Sequence, residues 1–269
     1  MKLLVLSYDW PPMRGGKAIL LFEMLKRTNA ELTVIAPKVD GWEKFDAEQE
    51  KEKLIVKRIP RIFFNLPLLP IFRIYSLKVF MLVSAAKKEL KKEKFDALLC
   101  CQLLTEGAVG LRMKKEFGIP YVVYTYDTID VEQPLNGKDR NIAKEILENA
   151  EKVVCISSFM KEKILQIGIA KEKVVMVNPG VDVKKFAPKK PSQEIAAKTG
   201  FGKGKVVLTV ARLVERKGID YALRAFAEVK KEFKDSKFVV VGEGPERSNH
   251  GNLAAKLGLK EDVIFAGAL

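Results

Sequence analysis

The chain has 269 residues, 48% of them hydrophobic, which is a globular composition with enough apolar content for a large core and a length that suits roughly two domains. Lys plus Arg (48) against Asp plus Glu (34) gives a net charge of +14, so the surface favours anionic partners: nucleotides, phosphorylated sugars, anionic lipid or nucleic acid. The basic residues interleave with glutamates, as from Lys87 to Lys94, instead of gathering with aromatics into a platform, so no nucleic-acid partner is expected. Cys100, Cys101 and Cys155 sit in apolar runs without metal-ligand spacing and read as reduced core residues. The chain opens directly on a strand pattern with no secretory signal, and no apolar run approaches the ~20 residues that span a bilayer. The expected location is the cytoplasm.

Leu3 to Ser7 is a continuous apolar strand, followed by the loop Asp9-Trp10-Pro11-Pro12-Met13-Arg14-Gly15-Gly16 and a helical pattern from Ala18 to Arg27. A glycine pair there lets backbone approach a ligand and frees N–H groups at a helix start; taken alone, the loop reads as a plain strand-to-helix turn. It is not G-x-G-x-x-G, so no dinucleotide cofactor is indicated. Leu32 to Ala36 and Leu54 to Arg58 read as the next strands, with a polar helical or loop segment between them. Asp96 to Cys101, Tyr121 to Tyr126, Lys152 to Ile156 and Lys173 to Val177 continue the series, separated by helical patterns at Leu104 to Phe117, Lys138 to Asn149 and Ser158 to Ile167. Repeated β-α units predict a parallel sheet covered on both faces.

The segment Ile59 to Lys92 breaks that regularity. It carries Ile62-Phe63-Phe64, two prolines within Leu66 to Phe72, and an apolar helix flanked by Arg58, Arg61, Arg73, Lys78, Lys87 and Lys88. Two readings stand: it caps the core of the first lobe, or it lies on an anionic membrane surface through buried area plus charge.

Asn178-Pro179-Gly180-Val181-Asp182 closes the first half, and Val183 to Pro191, rich in Lys and Pro, reads as a linker. This gives a first domain over 1–182 and a second over 192–269. A G-x-G within Gly200 to Gly204 precedes a strand, so it reads as a turn. The apolar run that starts at Val206 and ends in Arg212 reads as a buried strand. Five residues on from Arg212, Lys217-Gly218 opens an amphipathic helix from Ile219 to Phe233, apolar at Tyr221, Leu223, Phe226, Val229 and Phe233. The connection therefore lies at the carboxyl end of a strand and the start of a helix, where open α/β sheets bind ligands and free N–H groups face anions. Arg212 would supply a planar fork and Lys217 a point charge; two solvated loop cations fit the local spacing as well. The strand Lys237 to Val241, the turn Gly242-Glu243-Gly244-Pro245, a weak helix and the strand Val263 to Phe265 complete the chain.

The stretches VVCISSFMKEKILQIGIAKEKVVMVNPGVDVKKFAP, VARLVERKGIDYALRAFAEV, FVVVGEGPE and LGLKEDVIFAGAL, in that order and spacing, closely resemble the retaining glycosyltransferases of family 4. The resemblance implies an α/β chain of GT-B type, with two Rossmann-like lobes on parallel sheets, the second incomplete. It implies a hexosyltransferase-type enzyme that moves a sugar from a nucleotide-sugar donor to a glycan or lipid-linked acceptor with retention. The nucleotide-sugar is a co-substrate, and no cofactor is implied. Arg212 and Lys217 match the family's pair that grips the donor diphosphate. Gly15 and Gly16 match its N-terminal glycine loop, and Gly242 and Gly244 match the turn bordering the nucleoside. No D-x-D carboxylate pair is present, so no metal is expected in the chemistry.

Three departures accompany the resemblance. Where the family often has His-Asp, this chain has Tyr126-Asp127, and Asp127 either orients an acceptor hydroxyl or caps the next segment. The single histidine, His250, in SNHGN beside helix-weakening Gly251, reads as a surface or loop residue. The family's second lobe continues past Leu269, so the chain resembles a glycosyltransferase cut short, with an exposed edge expected at Val263 to Gly267. A non-catalytic nucleotide-sugar or glycan-binding protein on the same fold is the alternative.

Overall fold

The computed structural model describes residues 1–13, 15–49, 54–61, 71–126, 128–189 and 205–268. The chain divides into two compact units, Met1–Val181 and Asp182–Leu269. Pro191 and the start of the second part at 192 lie outside the described residues, as do the G-x-G at 202–204 and the Phe-rich stretch at 62–70.

The first unit carries strands β1 (Lys2–Leu6), β2 (Glu31–Pro37), β3 (Leu54–Ile59), β4 (Ala97–Cys100), β5 (Tyr121–Thr125), β6 (Lys152–Cys155) and β7 (Val174–Met176). They form one parallel seven-stranded sheet in the order β3-β2-β1-β4-β5-β6-β7. The helices are α1 (Gly16–Leu25), α2 (Trp42–Gln49), α3 (Ile71–Lys92), α4 (Thr105–Phe117), α5 (Thr128–Asn136), α6 (Arg140–Asn149) and α7 (Ser158–Gln166). Strand alternation divides the apolar side chains between two cores. Leu4, Leu6, Leu98, Cys100, Tyr121 and Val123 pack with Leu82 and Ala86 of α3 and Val109 and Met113 of α4. Val5, Val34, Ala36 and Tyr124 pack on the opposite face with Leu21, Phe22 and Leu25 of α1. Burial on both faces, worth about 1.5–3 kcal/mol per large side chain, is why these strands read as continuous apolar runs. The order reverses between β1 and β4, so the loops after these two strands diverge at the carboxyl edge of the sheet and leave a crevice there.

All three cysteines are free and buried. Helix α5 has no counterpart in the sequence reading, which is misled by Pro134 and the Asn136-Gly137 pair. Val131 and Leu135, one turn apart, are 1% and 3% exposed, and their burial outweighs the backbone bond that Pro134 removes. In α3, Leu82, Val83 and Ala86 are buried against the core while Leu77 and Phe80 are exposed. The described part of this helix therefore does cap the core, with an apolar surface left over.

The second unit holds β8 (Val206–Val210), β9 (Lys237–Val241) and β10 (Val263–Gly267), parallel in the order β10-β9-β8, with helices α8 (Ile219–Glu232) and α9 (Arg247–Lys256). Phe238 and Val240 of β9 pack with Leu223 and Phe226 of α8 and Ala254 of α9. Three expectations are corrected here. Strand β8 is not buried: among the described residues it has one neighbour, and Leu208 and Val210, on the face opposite Phe238 and Val240, are 60% and 71% exposed. On α8, Tyr221 is 75% exposed, because it stands about 200° around the helix from buried Ile219. His250 is neither loop nor surface; it lies within α9 at 5% exposure, one turn before buried Ala254. The inward spacing of 250 and 254 outweighs the ~1 kcal/mol propensity cost of Gly251. Among the described residues β10 is an edge strand, and its residues are buried or half-buried.

Candidate functional site

In the second unit the chain leaves β8 through Ala211 and Arg212, buries Leu213 completely, and makes a 3-10 turn at Glu215–Lys217 before Gly218 starts α8. Leu213 is the anchor. Its N–H donates to the Glu243 carbonyl at 2.9 Å, and its own carbonyl accepts the Glu246 N–H at 3.1 Å. With Leu213 pinned inward, Arg212 and Lys217 stand exposed, and among the described residues neither is ion-paired. Gly218 takes a left-handed φ of +62°, which lets the chain enter α8 directly after Lys217. The turn thus sets two unpaired cations beside a helix N-terminus at the carboxyl end of a strand. The fork, the point charge and the free amide donors there are each of a kind that suits an anion.

The turn after β9 presses against this segment. A Cβ on Gly242 would stand 1.9 Å from the Ala211 carbonyl oxygen, and one on Gly244 would stand 2.2 Å from that of Leu213. Gly242 also has a φ of +142°. Glycine is needed at both positions for two backbones to run this close, so these residues brace the Arg212 turn from behind.

In the first unit Gly15 precedes α1, and the N–H groups of its first turn have no partner within the helix. A Cβ at Gly15 or Gly16 would meet nothing within 4 Å among the described residues. The preceding loop, which contains a cis Pro11-Pro12 bond, is held at two points. Arg58, whose side chain is 2% exposed, donates to the Pro11 carbonyl at 2.7 Å and the Pro37 carbonyl at 2.9 Å, and forks onto Asp46 at 2.6 and 2.8 Å. Glu106, at the start of α4, accepts the Tyr8 N–H at 2.8 Å. Around it, Lys17 pairs with Asp9 at 3.2 Å and lies 5.5 Å from the Tyr126 ring centre, while Lys78 lies 4.6 Å from that of Tyr8. Burial pushes the Glu106 carboxyl up to about 7, against the pull of Lys17 and the Tyr8 amide. Burial likewise raises the Tyr126 hydroxyl and the thiols of Cys100 and Cys101, and lowers Lys78.

The structure thus brings Arg212, Lys217, Gly242 and Gly244 together within one unit, and places Gly15 and Gly16 at a helix start in the other. Asp127 lies outside the described residues. Beside it, Tyr126 stacks on Tyr124 with ring centres 4.3 Å apart. Sequence reasoning missed Glu106 and Lys17, and it read Arg58 as a basic flank of the segment Ile59 to Lys92, whereas its side chain is buried and forks onto Asp46. A signal for Glu106 was present: it falls three and seven residues before Val109 and Met113, on the buried stripe of α4, where a carboxylate is out of pattern. Among the described residues no group of three or more His, Cys, Asp or Glu is placed to hold a metal ion.

Comparison with known proteins gives the following. A family model described as Glycosyltransferase Family 4 matches residues 18–185, and one described as Glycosyl transferases group 1 matches residues 191–269. A GDP-mannose-dependent α-(1-6)-phosphatidylinositol monomannoside mannosyltransferase of Mycolicibacterium smegmatis is 28% identical over 98% of this chain and 66% of its own length. An alpha-monoglucosyldiacylglycerol synthase of Streptococcus pneumoniae is 26% identical over 69% of this chain and 45% of its own length. Among solved structures, the Anabaena protein HepE in complex with UDP and glucose superposes with a TM-score of 0.73 at 18% identity, covering 100% of this chain and 70% of that one. The chain spans about two thirds of the length of the mycobacterial relative.

Proposed function

Because the chain belongs to the glycosyltransferases, its first part to family 4 and its second to group 1, we propose that it transfers a sugar from a nucleotide-sugar to an acceptor hydroxyl with retention at the anomeric carbon. The observation that carries this reading is the turn after β8, where exposed, unpaired Arg212 and Lys217 flank the start of α8. In the reaction the bond between the anomeric carbon and the diphosphate oxygen breaks. The acceptor oxygen bonds to that carbon from the same face, and its proton passes to a donor phosphate oxygen. Negative charge grows on the leaving diphosphate. Arg212 and Lys217 are fixed by the turn before that charge develops, so they stabilise it without reorganising. The first-turn amides at Gly15 and Gly16 are assigned to donor binding, Gly242 and Gly244 to the support of the nucleoside side, and Asp127 to orienting the acceptor hydroxyl. This chemistry needs no metal and no cofactor beyond the co-substrate.

The acceptor we favour is a lipid-linked glycan, met at an anionic membrane surface from the cytoplasmic side. Relatives whose names include phosphatidylinositol and diacylglycerol compounds support it, as does the exposed Leu77 and Phe80 surface of α3. No helix among the described residues is long and apolar enough to cross a membrane. Sedimentation with anionic vesicles tests the membrane partner: binding should fall with salt and with Phe80→Ser, and indifference to both would remove it.

The functional test is turnover across a panel of nucleotide-sugars. Arg212→Ala or Lys217→Ala should lower it by about 10²- to 10³-fold, the scale for losing one preorganised donor at a developing oxyanion. The fold should survive, since both side chains are exposed. NMR of the product should give the same anomeric configuration as the donor. Turnover unchanged by both replacements in a folded protein would overturn the diphosphate assignment, and no turnover with any donor would favour a non-catalytic sugar-nucleotide or glycan-binding role.

A further inference from the structure

The loop between β1 and α1 rests on a buried carboxyl that the reaction chemistry does not use. Glu106 is 2% exposed; one carboxyl oxygen accepts the Tyr8 amide hydrogen at 2.8 Å, and the other is buried without a hydrogen-bond partner among the described residues. A buried polar atom left unmatched costs free energy, and α4 gains no packing from a carboxyl that an amide or an alkyl group would not give. What the carboxyl adds is a charge that can be switched. We propose that Glu106 is a positioning residue whose charge state sets the conformation of the loop from Tyr8 to Met13, and with it the amides at the start of α1. The link to turnover rests on the glycosyl-transfer reading; the link to loop conformation does not.

The surroundings are built for such a switch. Facing Glu106 are Lys17 from α1, Asp9 and the Tyr8 amide from the loop, Lys78 from α3, Cys100 at the end of β4 and Cys101 just after it. Lys17 is already paired with Asp9 at 3.2 Å, so a charged Glu106 competes with Asp9 for it, and a protonated one does not. Asp9 is tied back to β1, its carbonyl accepting from the Ser7 hydroxyl at 2.8 Å. A change in the Lys17 partnership therefore pulls on the loop at Asp9 while Glu106 holds it at Tyr8. Burial is the largest influence on the carboxyl and brings it to about 7, Lys17 and the Tyr8 amide lower it, and Asp9 raises it. Its folded value lies above the ordinary 4.5, so the folded state retains the proton longer than the unfolded one. The stability that this proton contributes is full below about 4.5 and is lost as pH rises through about 7.

The loop carries its own reporter, because the chain has two tryptophans and one of them, Trp10, is in the loop and fully buried. In a Trp42→Phe background, Trp10 emission between pH 5.5 and 8.5 should titrate with a midpoint near 7, and Glu106→Gln should flatten it while keeping an acceptor for the Tyr8 amide. The unfolding midpoint of the parent should fall relative to Glu106→Gln across the same range, and an inflection near pH 7 in kcat/KM should vanish in that variant. A Trp10 signal that is flat, or that titrates identically with Gln at 106, overturns the proposal. If Trp10 titrates as expected but no nucleotide-sugar is turned over, the control of the loop by Glu106 stands and the glycosyl-transfer reading falls.

Discussion

Each unit has a glycine-bearing turn at the carboxyl edge of its sheet, and the two turns use glycine for opposite reasons. In the second unit, Gly242 and Gly244 are jammed: a Cβ on either would stand 1.9 or 2.2 Å from a backbone oxygen of the Arg212 turn. In the first, the positions over Gly15 and Gly16 are open among the described residues. A glycine demanded by its own protein's packing supports a site without touching a ligand. One that packing leaves free gives a ligand room to approach the backbone.

Alanine separates these roles. Gly242→Ala or Gly244→Ala should cost about 3 kcal/mol of stability, since neither backbone segment can withdraw without breaking the bonds of Leu213 to Glu243 and Glu246. Urea unfolding of the whole chain checks this, and a loss under about 1 kcal/mol would show that the two turns are not tightly coupled. Gly15→Ala and Gly16→Ala should leave the unfolding free energy within about 0.5 kcal/mol of the parent. They should nonetheless lower turnover by about 10²-fold, because a methyl group displaces the donor by about an ångström. Stability losses at Gly15 matching those at Gly244 would erase the distinction.

Much of the fold was legible because period and burial agree. All seven strands in the first unit stand within one residue of the expected limits at either end, since buried parallel strands are runs of apolar residues bounded by turns. Legibility failed where tertiary packing overrode a local signal: Pro134 inside α5, Gly251 beside a buried His250, and the solvent-facing Leu208 and Val210 of β8. The Arg212 turn was legible because it is local in sequence. The place of Glu106 on the apolar stripe of α4 was a local hint, but its bond to Tyr8 and that of Arg58 to Pro11 were not legible, because they cross 98 and 47 residues, a relation no local pattern carries.

The central claim is that Arg212 and Lys217 form a diphosphate grip. Calorimetric titration with a free nucleoside diphosphate, UDP and GDP in turn, tests it most directly, because that charge is present before any reaction. Arg212→Ala and Lys217→Ala should each weaken binding by roughly 10- to 100-fold, the range for losing one hydrogen bond to a charged group, with the unfolding midpoint unchanged. Arg212→Lys should also bind less tightly than the parent, since a point charge cannot span two phosphate oxygens. Equal affinity for both diphosphates in the parent and in both alanine variants would contradict the account.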